Sequence, residues 1–237
     1  MLVRVVGYFA WLLFAFALFV TVRTILRPRP QPESVKVKMP ALAMEFVETD
    51  EDLSQIIGAP DDPKTPAWRA GLLSDLKADY VFIVIYWLLY AGIAAVLAQS
   101  SGDGQRAWLA LVAGLLATAA AVCDVVENLR MTKVIEAASV VERVAAPGFL
   151  KWLFIFLTVA LLSATFFGRG GWVWLAGVVC LLVAGLGLAG LAAIKLGSRQ
   201  LWPVGAAFVL LLLVLLPLVA AAFTLKTELF TRAFGSS

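Results

Sequence analysis

Apolar and polar positions divide this chain into long greasy runs separated by short charged ones. Val5–Ile25, Tyr80–Ala98, Ala107–Cys123, Phe149–Phe167, Trp172–Ile194 and Val204–Leu225 are almost free of charge. A membrane-spanning helix needs about 20 mainly apolar residues. The third run is short by itself, and the pattern extends it as a helix through VCDVVENLR. Pro217 predicts a kink in the sixth, tolerated where neighbouring helices satisfy the freed carbonyl. The first run reads as an anchor rather than a cleaved signal. Only Arg4 precedes it, its apolar core is long, and no small-x-small cleavage site precedes RPRP. The expected fold is therefore an all-α membrane protein of six transmembrane helices, with a small cytoplasmic loop subdomain between helices one and two. The expected divisions are residues 1–26 (first helix), 27–78 (loop or lid) and 79–237 (five-helix bundle).

Within the loop the period changes. RPRPQPES is proline-rich and extended. Leu42, Met44 and Phe46 alternate with Ala43, Glu45 and Val47, the period of a short strand or extended edge. Thr49 then offers an N-cap, with Asp50, Glu51 and Asp52 set against the helix dipole. Leu53, Ile56 and Ile57 form one apolar face, and Gly58 marks the stop. After the turn-rich APDDPKTP, a second amphipathic helix is expected from Trp68 to Lys77, running into the second span. About 50 residues build only a weak core by themselves, so this piece should rest against the membrane face or cap the bundle.

Composition agrees with the pattern. Of 237 residues, 62% are hydrophobic and only 15% charged, far from the soluble average. A net charge of +3 would permit nucleic-acid binding, but the bases are scattered through loops, and membrane lipids are the expected partners instead. With six spans, one side of the membrane carries fourteen Lys and Arg and the other five. The positive-inside rule then places both termini outside and residues 27–78 in the cytoplasm. Cys123 and Cys180 fall inside apolar runs and read as small buried side chains. The chain has no histidine, which removes imidazole bases and histidine metal sites.

The candidate chemistry lies where the third run ends. Asp124, Glu127 and Asn128 are spaced i, i+3, i+4 and share one helical face with Ala113, Ala117, Ala120 and Ala121. Small residues at that spacing let helices approach, so this face should point into the protein. Asp79 opens the second run, with Tyr86 and Tyr90 on its face. The second run enters from the side to which the third exits, so Asp79 should lie level with the acidic group. Three functional readings follow. The site binds a cation or polar lipid headgroup, with Asp124 and Glu127 as ligands of Mg²⁺ or Ca²⁺, Asn128 and Asp79 in support and Tyr86 as a donor. Alternatively the carboxylates serve a small transporter or proton-coupled permease, for which Thr158, Ser163 and Thr165 make a thin lining. Or the acids pair with Arg130, Lys133 or Lys151 and orient a purely structural or accessory bundle. Gly185, Ala189 and Ala193 form a small-xxx-small stripe suited to packing within the protein, or to a second copy or another membrane protein. Seven tryptophans, Trp152 among them, lie mostly near span ends, as interfacial anchors do.

EFVETDEDLSQIIG, DYVF and CDVVENLRM together are similar to stretches of bacterial multi-pass membrane proteins, over about residues 42–130. The resemblance implies a bacterial inner membrane and treats Asp79, Asp124, Glu127 and Asn128 as one unit. It implies no activity.

Overall fold

A computed structural model describes residues 30–37, 40–140, 142–167 and 172–195, together with helical positions between 7 and 19. The sixth apolar run, with Pro217, lies outside the described residues, as does most of the first. Beyond the helical positions between 7 and 19, six helices follow in order among the described residues: α1 (Pro40–Met44), α2 (Asp50–Ile57), α3 (Thr65–Ser100), α4 (Gly104–Ala137), α5 (Ala145–Phe166) and α6 (Trp172–Lys195). No strand occurs among the described residues. Among the described residues, four segments are long and apolar enough to cross a membrane: Thr65–Gln99, Gly104–Ala137, Ala145–Phe166 and Gly177–Lys195. They carry exposed large apolar side chains, such as Val81, Leu111, Leu115 and Leu182, which water would not tolerate in such number and lipid does. The chain is a membrane-embedded, multi-pass helical protein.

Two compact units share these helices. One holds the described parts of Met1–Val20, Ile85–Thr118 and the described chain from Leu153 onward; the other holds the described parts of Thr21–Val84 and Ala119–Trp152. In the first unit, Gly187 is the glycine that allows closest approach. A Cβ there would lie 2.1 Å from the Phe156 ring. Gly185 meets nothing within 4 Å among the described residues, and Ala189 is exposed. Among the described residues, α6 makes its closest approach at Gly187 rather than along the expected stripe.

The second unit grows from its local signals. Thr49 caps α2, its hydroxyl accepting from the Asp52 amide at 3.1 Å. Gly58 ends α2 at φ 88°, a left-handed value that disfavours any side chain, and its amide donates to Ser54 O at 3.1 Å. Trp68 donates its indole N–H to Ile56 O at 2.9 Å, closing another carbonyl of that helix end. The backbone amides of Glu33 and Lys64 each donate to the Asp62 carboxylate at 2.8 Å. Those bonds hold its carboxyl below the usual carboxylate range.

The amphipathic helix expected over Trp68–Lys77 is the first part of α3, continuous with the span. Its Leu72 and Leu76 join Met44, Val47, Leu53, Ile56 and Ile57 in one core, which Met131, Val134 and Ile135 of α4 complete. The loop therefore gains its core by packing on a helix that continues beyond the apolar run.

The strand expected around Leu42–Phe46 is a correction. Residues 40–44 form a helical turn, extended by bonds from Phe46 N to Ala43 O and from Val47 N to Met44 O, each 3.3 Å. Proline suits a first helical position, and no partner strand is present among the described residues to satisfy an extended edge. Met44, Glu45 and Val47 are buried while Phe46 is only half-buried, so burial does not alternate.

At the other end of α4, Ala138 adopts φ 53° just past the last helical residue, where glycine is favoured. Ala138→Gly should therefore stabilise the protein by up to about 1 kcal/mol, less the entropy that glycine adds to the unfolded chain. A midpoint shift in denaturant without a change of slope would show it.

Candidate functional site

α4 carries Asp124, Glu127 and Asn128 on one face, and all three are buried, together with Ala113, Ala117, Ala120 and Ala121. The i, i+3, i+4 reading thus describes the interior face of the helix. Asn128 donates its amide N–H to Asp79 Oδ2 at 2.7 Å, bringing the start of the second apolar run to the group. Tyr86 belongs to the other unit, where it is buried with its ring edge-on to Tyr90 at 6.4 Å.

The centre of the site is Lys151, in the second turn of α5 and 5% exposed. Its Nζ lies 2.9 Å from Glu45 Oε1, 2.9 Å from Glu127 Oε2 and 3.3 Å from Asp124 Oδ1. It donates hydrogen bonds to Glu45 Oε1 at 2.9 Å and to Glu127 Oε1 at 3.0 Å. Glu127 Oε2 is close enough for an ion pair but accepts no hydrogen bond, and it is fully buried. The remaining oxygen of Glu45 accepts the indole N–H of Trp152. Lys151 Nζ also stands 4.9 Å from the centroid of the Trp152 ring. Burial pushes the Glu45 carboxyl above the usual carboxylate range, and the Lys151 ammonium opposes that push.

Local structure explains the convergence. Met44 and Val47 are held in the apolar core, so Glu45 between them is carried against α5. Its contact surface there is Gly148. A Cβ at that position would lie 3.1 Å from Glu45 O and 3.2 Å from Glu127 Oε2. The first turn of α5 thus presents bare backbone, and the positive end of the helix dipole, to two carboxylates. Gly148→Ala would press on a backbone carbonyl as well as a carboxylate. It should cost about 1–3 kcal/mol, the range for overpacking, where an ordinary exposed glycine-to-alanine change in a helix would stabilise. Thermal unfolding of the purified protein reads the sign.

Of the three bases weighed as partners for the acids, only Lys151 serves. Lys133 pairs with Glu142 at 2.5 Å, and Arg130 lies 3.7 Å from the same carboxylate. Two contributors were not among the candidate ligands. The sequence pattern places Glu45 only on the polar side of a strand and Trp152 at the interface, whereas Trp152 is buried and donates to Glu45 in the site. A lysine two residues inside an apolar run, followed by tryptophan, is the available signal. Among the described residues no group of three or more His, Cys, Asp or Glu is arranged to hold a metal ion. The cation that Asp124 and Glu127 surround is the lysine ammonium.

The hydroxyls thought to line a path instead bond to backbone. Thr158, Ser163 and Thr165 donate to Ala113 O at 3.4 Å, Ala160 O at 2.7 Å and Leu162 O at 2.7 Å. Comparison of the chain with protein-family models, curated proteins and solved structures finds no match.

Proposed function

We propose that this multi-pass protein of the bacterial inner membrane uses its buried carboxylate and amide site to bind a cation or a polar lipid headgroup. The loop and the site would lie on the cytoplasmic side, where the excess of Lys and Arg supports placing them. One observation carries the reading. Three buried carboxylates lie within 3.3 Å of a single ammonium, and a half-buried one, Asp79, is one hydrogen bond from Asn128. Uncompensated charge is expensive away from water, so such a site attracts further positive charge. Association through Gly185, Ala189 and Ala193, with a second copy or another membrane protein, is part of the same proposal. A solute path is less favoured, because the hydroxyls that would line it are spent on carbonyls.

The test is thermal unfolding in detergent with chelator, then Mg²⁺, Ca²⁺ or ethanolamine. The natural protein is compared with the double variant Asp124→Asn, Glu127→Gln. A ligand at 100 times its dissociation constant adds about 2.7 kcal/mol. The expected result is a ligand-dependent rise that the double variant loses. No rise with any cation would make the cluster a structural clasp.

A further inference from the structure

The arrangement around Lys151 narrows the chemistry of what this site holds. Its Nζ is set among oxygens of Glu45, Asp124 and Glu127 at 2.9–3.3 Å, which are hydrogen-bonding distances for an ammonium. A hard divalent cation instead draws its oxygens to about 2.0–2.6 Å and takes six or more of them. The Trp152 ring, 4.9 Å from Nζ, adds an aromatic face of the kind that attracts organic ammonium groups. One further observation is independent of the carboxylate count. Glu127 Oε2 is buried and receives no hydrogen bond. The Lys151 ammonium, 2.9 Å away, neutralises this oxygen without directing an N–H at it, so its lone pairs are left for a further donor.

We propose that the group this site takes is a primary ammonium, donating to Glu127 Oε2 and sharing or displacing the place of Lys151. The inference rests on the cation reading above and specifies its ligand. A primary ammonium reaches the end of a membrane helix either as a lipid headgroup of the ethanolamine type or as a free amine. Both present the same N–H donors. A quaternary ammonium has the same charge without any donor, and so provides the control.

The experiment compares unfolding temperatures of the natural protein and of Glu127→Gln in nanodiscs of phosphatidylcholine with and without phosphatidylethanolamine. A parallel detergent series uses n-propylamine, tetramethylammonium and Mg²⁺, and adds the Lys151→Ala variant. The expected result is a rise of several degrees with phosphatidylethanolamine or n-propylamine, absent in Glu127→Gln. Lys151→Ala, with its ammonium removed, should recover more than the natural protein does on adding n-propylamine. A response to n-propylamine but not to the lipid would identify a soluble amine as the source. Equal responses to n-propylamine and tetramethylammonium would overturn the proposal, as would a response to Mg²⁺ alone. The Mg²⁺ result would leave the broader cation reading standing, whereas silence from every cation would remove both. Should Lys151→Ala fail to fold, the comparison of the natural protein with Glu127→Gln decides the question.

Discussion

Lys151→Met should destabilise the protein by about 3–5 kcal/mol, the range for removing one partner of a buried ion-pair network. Methionine keeps most of the length and apolar stem of lysine, so lost packing contributes little. What remains is a set of buried carboxylates, Glu45, Asp124 and Glu127, without the ammonium that now lies within 3.3 Å of each. Lys133→Met supplies the control. Its pair with Glu142 is shorter, at 2.5 Å, but the lysine side chain is 60% exposed. Water solvates the orphaned charge there, so the change should stay within about 0.5 kcal/mol. Unfolding of both variants in a mild detergent, followed by tryptophan fluorescence, separates them. Similar losses in the two would mean that burial of the cluster is not what gives Lys151 its weight.

The second large effect belongs to the core that carries Glu45. Ile57 is 1% exposed and sits in the apolar cluster with Leu72, Leu76, Met131 and Val134. Ile57→Ala should cost about 2–5 kcal/mol, the sum of lost transfer energy and the cavity left behind. Because the cluster includes Met44 and Val47, loosening it should also free the residues on either side of Glu45. Hydrogen exchange across residues 40–47 would show this as faster exchange than in the natural protein. Unchanged exchange there would place the support of Glu45 elsewhere.

Much of this was legible in the chain, for reasons that differ by element. α2 announced itself through a cap, three acids and a glycine, all local signals that act within one or two turns. The apolar runs inside α3 to α6 were legible because lipid tolerates so few charges. The interior face of α4 followed from helical spacing alone, since alanines and acids at i, i+3 and i+4 must share a side. The extended segment expected near Glu45 failed because three alternating positions cannot outweigh a proline placed to start a turn. The hub failed for a deeper reason. Lys151 meets Glu45, 106 residues earlier, and Glu127, 24 residues earlier, through contacts that only the fold creates. Arg130 and Lys133 lay nearer to the acids in sequence, yet Glu142 takes both.

A double-mutant cycle between Lys151 and Glu127 tests the central claim most directly. Unfolding free energies would be measured for the natural protein, Lys151→Met, Glu127→Gln and the pair together. Residues in one buried ion-pair network couple by about 0.5–3 kcal/mol, and the arrangement predicts the upper half of that range. The double variant should then be more stable than the sum of the single losses implies. Additive losses would contradict the account, because they would mean that the ammonium and the carboxylate do not share one site.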